Sequence, residues 1–230
     1  LPPGTNKMAP TLVLAYCSHG ENDILGVGWR LAGLPVITRD TSYPVTFDDT
    51  KDHYLYEGER LIYSNPAAGG DGYYHTEREN FDRIELKNPN LANSYWLVTK
   101  KDGVKYYFGY QAAEHTAAND GHIDATSQNG KARVWALSKV LDLQGNYYVI
   151  EYSEDPATGA YYPAKITYTK NASHPLSGYR TIEFGYEDRA DHWAVYQPAK
   201  VDISRRLKWI TAKVGGNLYR KWRIDYTKSN

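Results

Sequence analysis

The sequence lacks several features on which common functional classes depend. Cys17 is its only cysteine, so no disulfide can form within the chain. The formal net charge is zero, because 27 Lys and Arg residues offset 27 Asp and Glu residues. Such a chain has no overall field to attract a nucleic acid or an anionic membrane. No segment approaches the ~20 consecutive apolar residues of a membrane-spanning helix. These absences argue against a disulfide scaffold, a nucleic-acid partner and a membrane span.

Tyrosine dominates the aromatic residues, with 22 Tyr against 6 Trp and 4 Phe. A tyrosine ring packs on a half-buried sheet face while its hydroxyl stays in contact with water. Apolar side chains also alternate with period two along the chain, which predicts an all-β fold of antiparallel hairpins, arranged as a meander in layered sheets. The predicted hairpins join residues 95–100 to 104–110, 134–141 to 147–152, and 207–214 to 218–226; further strands are predicted at 165–169 and 179–186.

Residues 11–18 are apolar on both faces, which predicts a strand buried between layers. Cys17 lies in this strand without a histidine partner, so we expect a small buried side chain. Residues 205–208 form a short basic run that we interpret as the solvated start of a strand. Gly26 and Gly28 bracket Val27, where the backbone must turn. No Gly-Lys-Ser/Thr ending follows them, so a phosphate-binding loop is not indicated.

Helical spacing is nearly absent, and residues 110–118 are the one candidate for a short helix. The polar segment 119–131 is predicted to be the longest loop, and residues 65–71 form a second cluster of turn residues. Neither marks a domain boundary, so we expect one domain over residues 1–230. The chain starts at Leu1 and stops after a strand-like run, which suggests a fragment cut at both ends.

Opening, central and closing segments together resemble the SpvB/TcaC-type N-terminal domain. The opening carries Leu-Pro-Pro-Gly-Thr-Asn-Lys-Met-Ala-Pro at 1–10 and Leu-Gly-Val-Gly-Trp-Arg-Leu at 25–31. The central hairpin carries Trp-Ala-Leu-Ser-Lys at 135–139, with Asp142 and Gly145 at its turn. The closing strands run from Ile203 to Tyr226. The similarity extends over nearly the whole chain.

This resemblance implies a mostly β domain at the start of toxin-complex B components and of related secreted bacterial proteins with tyrosine-aspartate (YD, RHS-like) repeats. In that family the sheets build a hollow shell around a toxic C-terminal segment, and ADP-ribosyltransferase activity lies in a separate C-terminal domain. The resemblance therefore implies a non-catalytic shell module. Its partners would be the rest of its own polypeptide and other toxin-complex subunits, and its location would be extracellular.

Glu57 and Glu59 have the spacing of the paired glutamates of ADP-ribosyltransferases. A catalytic pair also needs a nicotinamide-binding arginine and a supporting Ser-Thr-Ser strand, and neither is found in order. A hairpin turn at Glu57-Gly58 is therefore the preferred interpretation. No catalytic or cofactor-binding residue is predicted, and no cofactor is expected.

A cation site is conceivable in the predicted loop 119–131, where acidic and histidine side chains cluster with a histidine just before it. The candidates are His115, Asp120, His122 and Asp124. None of the seven histidines has a His-x-x-x-His or Cys-paired spacing. We therefore expect a solvated loop and predict no metal ligand.

Tryptophans give the one rival function, a flat sugar-binding platform on a sheet. The candidate rings are Trp96, Trp193, Trp209 and Trp222. The alternative is that they fill the layer between sheets, and the alternation predicts that Trp222 shares a core-facing side with Leu218, Ile224 and Tyr226. A glycan or host-surface ligand stays open at this point.

Overall fold

The computed structural model describes residues 1–66, 72–126, 128–174, 176–196 and 198–227, and their regular structure is almost entirely β-strand. A single turn of 3₁₀ helix spans Thr5–Lys7. No helix in the described ranges is long and apolar enough to cross a membrane. The strands are β1 (Val13–Tyr16), β2 (Asn22–Asp23), β3 (Gly26–Val27), β4 (Trp29–Ala32), β5 (Val36–Arg39), β6 (Tyr54–Tyr56), β7 (Glu59–Pro66), β8 (Gly72–Thr76), β9 (Arg83–Lys87), β10 (Tyr95–Thr99), β11 (Lys105–Phe108), β12 (His122–Ala125), β13 (Gln128–Leu141), β14 (Asn146–Asp155), β15 (Ala160–Asn171), β16 (Leu176–Asp188), β17 (Val195–Tyr196), β18 (Lys200–Val201), β19 (Arg205–Val214) and β20 (Asn217–Arg223).

Strands β5 to β11 form an antiparallel meander that β13 closes into a barrel. β13 pairs with β5 through Val134–Thr38 and Ala136–Val36, and with β11 through Leu137–Phe108. Closure removes the open edges that a flat sheet of these strands would present. The all-β prediction is therefore confirmed.

The long strand β13 also begins a second sheet. Its residues 139–141 continue past the end of β5 and pair with β14, and the order then runs β14-β15-β16-β19-β20. This outer sheet is antiparallel throughout, with β14 and β15 paired over almost their whole lengths. Barrel and outer sheet thus share one strand.

Aromatic rings fill the barrel. Trp96 and Trp135 are both fully buried, with ring centroids 6.1 Å apart, and Tyr54 meets them edge-on at 4.8 and 5.6 Å. Edge-to-face pairs at such distances contribute ~1 kcal/mol each beyond the area they bury. Trp96 is therefore a core residue, as the layer-filling alternative predicted.

A buried arginine with two carboxylates packs against the rings of this core. The Arg39 guanidinium donates to Asp49 and Asp52, each at 2.6 Å, and its Nε donates to the carbonyl of Ala132 at 2.8 Å. It also lies 5.0 Å from the Trp135 ring centroid. Full pairing offsets the desolvation of this charge.

The predicted hairpins are confirmed. Their turns contain positions that require a positive φ, and glycine occupies these positions. Gly103 and Gly145 have φ of 82° and 80°, and Gly216, between β19 and β20, has 83°. β19 begins at Arg205, as the basic run predicted. At the β6–β7 turn, Glu57 and Gly58 have φ of 51° and 83°, which confirms the turn predicted there.

Four local predictions are wrong: the helix at 110–118, the loop at 119–131, the burial of strand 11–18 and the burial of Cys17. Residues 110–118 form turns instead of a helix, because Ala112 and His115 close only isolated turns. The predicted loop 119–131 contains β12 and the start of β13, so it is neither structureless nor the longest loop. Strand β1 is exposed instead of lying between layers, and Cys17 beside it is exposed. The turn cluster at 65–71 lies mostly outside the described residues.

Candidate functional site at the open sheet edge

Strand β20 forms the last strand of the outer sheet, and all seven of its residues are exposed. It pairs with β19 on one side, and no described strand pairs with its other side. Its outward backbone amides and carbonyls are thus available to another strand. Such an edge is a template for further β-pairing.

A bulge divides β20 into two segments. Trp222 lies opposite Ile210, whereas Leu218 lies opposite Lys213, because the register shifts between Ala212 and Lys213. Ile210 and Lys213 are three residues apart and point to opposite faces. The predicted common face of Leu218 and Trp222 is therefore wrong, and Trp222 remains 36% exposed instead of joining the core.

Basic side chains dominate β20 itself. Lys221 Nζ lies 4.4 Å from the Trp209 ring centroid, and Arg220 lies over the Trp222 ring at 5.8 Å. Arg223 pairs with Asp225, which lies beyond the strand. Charged residues on an edge strand oppose pairing between identical edges. A partner strand that carries acidic residues would suit this edge better.

Behind the edge, an ion-pair cluster ties β16 to β19. Glu187 accepts from Arg206 Nε at 2.8 Å and contacts Lys208 Nζ at 3.1 Å. Both hydrogen bonds lower the pKa of Glu187. The cluster holds the start of β19 in register.

A second exposed apolar surface lies on the β1–β4 ribbon. Tyr16 pairs with Trp29 across the ribbon, and their rings are 5.2 Å apart. Gly28 has φ of 77°, and a Cβ there would come within 2.7 Å of the Tyr16 ring. The glycine thus allows the turn and the ring contact together. Leu14, two residues before Tyr16 in β1, is exposed on the same face.

The four candidate tryptophans do not form one platform. Trp96 is buried in the barrel, while Trp193 is exposed in the segment before β17. Trp209 lies beside Ile210, the partner of Trp222, so Trp209 and Trp222 point to opposite faces of the outer sheet. The layer-filling alternative is therefore wrong for the three exposed rings, Trp193, Trp209 and Trp222.

Glu57 and Glu59 lie on the outside of the β6–β7 hairpin, and both are exposed. The neighbouring Arg60 contacts Asp40 at 3.4 Å and stacks over Tyr43 at 5.1 Å. The glutamates thus occupy a surface turn, in agreement with the turn interpretation.

The histidine and aspartate candidates are mostly buried instead of solvated. His115 Nε2 donates to the Ile150 carbonyl at 2.8 Å, while its Nδ1 accepts from the Ala112 amide at 3.1 Å. His122 lies 3.2 Å from both Ser94 Oγ and Asp124 Oδ1. Both imidazoles are thus engaged in structural contacts. In the described ranges, no three His, Cys, Asp or Glu side chains are grouped to hold a metal ion.

Sequence reasoning missed Glu154, which faces this cluster from β14. Its Oε1 accepts from the Gly121 amide at 3.1 Å. Burial raises its pKa to about 8, and the negative charges of Asp120 and Asp124 add to the effect. Its neighbours in sequence, Ser153 and Asp155, gave no sign of burial.

The chain is similar to known virulence and toxin proteins in sequence and in fold. A family model described as Salmonella virulence plasmid 65kDa B protein, SpvB, matches residues 1–211. The mono(ADP-ribosyl)transferase SpvB of Salmonella choleraesuis is 31% identical over 141 residues, and that of Salmonella typhimurium is 28% identical over 140 residues. Each alignment covers 47% of this chain and 24% of the relative. The chain therefore spans about a quarter of the length of the curated relatives it matches.

Two solved structures have the same fold. The N-terminal domain of the effector protein SpvB from Salmonella typhimurium strain LT2 superposes with a TM-score of 0.74 at 19% identity, covering 89% of this chain and 82% of that chain. The Photorhabdus luminescens Tc holotoxin pore gives a TM-score of 0.82 at 18% identity, covering all of this chain and 14% of that chain. In both, a barrel and outer sheet of this kind form part of a toxin or effector protein.

Proposed function

Because the chain belongs to the SpvB family, we propose that residues 1–230 are one non-catalytic structural β module of a larger secreted toxin or virulence protein. The module joins further β structure and so helps to enclose or export a C-terminal effector. The observation that carries this proposal is the open, fully exposed edge strand β20. Its partners are then the rest of its own polypeptide and other subunits of a toxin complex.

The two exposed surfaces suit this role in different ways. β20 offers backbone donors and acceptors along a whole strand, which supports extension of the outer sheet. The β1–β4 ribbon offers the Tyr16 and Trp29 rings without a strand edge of comparable length. A neighbouring segment of the β shell can cover this ribbon by side-chain packing. Pairing at the β20 edge would then set the direction in which the outer sheet continues, and packing on the β1–β4 ribbon would add contact area.

A non-catalytic role is supported by the placement of the candidate residues. Glu57 and Glu59 lie on an exposed turn, and the nearest arginine of that turn, Arg60, is engaged by Asp40 and Tyr43. We therefore expect residues 1–230 to release no nicotinamide from NAD above the buffer rate. Release that is lost in Glu59→Gln would overturn this part of the proposal.

Hydrogen exchange tests the edge directly. We expect the outward amides of β20 to exchange at least about tenfold more slowly in the natural longer polypeptide than in residues 1–230, because backbone pairing protects them. β15 is paired on both sides and serves as the internal reference. Equal exchange of β20 in both chains would mean that this edge is not extended.

A charged substitution separates edge pairing from general apolar association. The basic side chains of β20 weaken pairing between identical edges, and Leu218→Lys should lower any self-association that they leave, measured by analytical ultracentrifugation, because it adds a further positive charge. Leu91→Lys is the matched control, since Leu91 is similarly exposed but lies in a turn away from the edge. If both variants lower self-association equally, the edge is not the contact surface.

A further inference from the structure

A second feature lies away from the open edge, in a cavity between the outer sheet and the segments that cover it. The cavity measures about 390 Å³. Its walls come from β4, β5, β13, β14 and β15, from β2 with the turn that follows it, and from the segment around Val201 and Ile203. Pockets of about 300–1,000 Å³ are the usual size for small organic ligands.

Arg133 reaches this cavity through a bulge in β13. Ile123 pairs with Val134 and Asp124 pairs with Ala132, so Arg133 is the extra residue between two paired positions. Bulges re-aim a side chain and are common beside binding sites. The residue is only 8% exposed and lines the cavity wall.

The charge of Arg133 has no carboxylate partner among the described residues. Its Nη2 donates to the Gly159 carbonyl at 2.8 Å, while its Nε is buried without a hydrogen bond. Burial lowers the pKa of this guanidinium, and only the Tyr161 hydroxyl opposes that effect. A buried charge is costly unless it is paired. Arg39, buried to a similar degree, shows the usual solution with two aspartates.

The other lining residues indicate which class of ligand would bring a negative charge to Arg133. Most are apolar, among them Leu31, Leu34, Val36 and Ile203. Arg30 adds a second cation at the exposed side of the cavity. Asp23 on another wall disfavours a ligand with several negative charges, although burial raises its pKa. One carboxylate on an apolar body fits this combination.

We propose that this cavity binds a small amphiphilic monocarboxylate, with the carboxylate on Arg133 and the apolar body against Leu31, Leu34 and Ile203. The guanidinium matches a carboxylate through two parallel N–H···O bonds. A volume of about 390 Å³ suits a free organic acid better than an acidic side chain carried on another protein segment. This site is separate from the β20 edge, so either proposal can fail without the other.

Octanoate is the probe, and isothermal titration calorimetry is the measurement. We expect octanoate to bind residues 1–230 and 1-octanol to bind at least tenfold more weakly, because octanol lacks the charge that Arg133 recognises. Arg133→Met should weaken octanoate binding at least tenfold. Arg133→Lys should lie between, because it keeps the charge and loses the planar fork. Arg78→Met, at an exposed arginine between β8 and β9 that belongs to neither the cavity nor the β20 edge, is the matched control and should bind as the wild type does.

Thermal unfolding without ligand gives a second readout that does not depend on the probe. Removing an unpaired buried charge should raise the Tm, so we expect unliganded Arg133→Met to melt above the wild type. If Arg133 only anchors the Gly159 carbonyl, the variant melts lower and octanoate does not bind. No octanoate binding at millimolar concentration, equal binding of octanol, or binding of an acidic peptide but not of octanoate would each overturn the proposal.

Discussion

Glu154→Gln should stabilise the protein at alkaline pH and leave its stability nearly unchanged at pH 5. Burial raises the pKa of Glu154 from 4.5 to about 8. The folded state therefore favours the protonated carboxyl. The protonated Glu154 carboxyl contributes all of its stabilisation below the unfolded-state pKa near 4.5. This contribution to the free energy of unfolding is lost as the pH rises toward 8. Glutamine keeps an oxygen that can accept from the Gly121 amide and cannot ionise.

The size of the effect follows from the interval between the two pKa values. Each pH unit in that interval changes the free energy of unfolding by about 1.4 kcal/mol, which sets an upper limit of roughly 5 kcal/mol. Glu154 keeps some contact with solvent, which screens the effect. We therefore expect a difference of about 2 kcal/mol between variant and wild type at pH 9.

Urea unfolding followed by tryptophan fluorescence at pH 5, 7 and 9 measures this difference. Glu187→Gln is the control of opposite sign, because its ion pairs with Arg206 and Lys208 lower the pKa of Glu187. That contribution is present above the ordinary pKa, so Glu187→Gln should be the less stable protein at all three pH values. A Glu154→Gln difference that does not grow between pH 5 and pH 9 would refute the assigned burial.

Three further substitutions probe the core and the ribbon. Arg39→Met leaves Asp49 and Asp52 without their cation and should lower the free energy of unfolding by about 3–5 kcal/mol in urea titrations, whereas an unchanged midpoint would contradict the buried network. Trp96→Ala should cost about 3–5 kcal/mol in the same assay, and a loss below 1 kcal/mol would mean that the barrel core is not packed as described. Gly28→Ala places a side chain at φ of 77° and should cost about 1–2 kcal/mol. Hydrogen exchange should then rise in β1 and not in the barrel, and faster exchange in both would contradict a local effect.

The sequence predicted elements whose cause is local. The Glu57-Gly58 turn and the glycine turns at Gly103 and Gly145 follow from residues that adopt positive φ, whatever packs on them. Alternating apolar residues likewise marked the strands of the outer sheet and, in the barrel, β10, β11 and β13, whereas β5, β8 and β9 were not predicted. The SpvB resemblance, carried by the 25–31 and 135–152 segments, is also confirmed.

Elements that depend on distant partners were missed. Residues 128–133, with sequence Gln-Asn-Gly-Lys-Ala-Arg, have the composition of a loop, yet they form the start of β13 because β12 pairs with them. Strand β1 has apolar residues on both faces, but this pattern does not indicate whether another layer of the fold covers either face. The isolated charge of Arg133 follows from a bulge and from the fold around it, neither of which has a local sequence signal.

The sharing of β13 between barrel and outer sheet has a consequence for the order of folding. Val36 pairs with Ala136, one hundred residues later, so the barrel cannot close on the ribosome until β13 has emerged. Until then, the β5 and β11 edges are both unpaired. Contacts of such long sequence separation slow folding. Once β13 is in place, its residues 139–141 offer β14 an edge to pair with. The outer sheet therefore assembles after the barrel closes, on a strand that is already fixed.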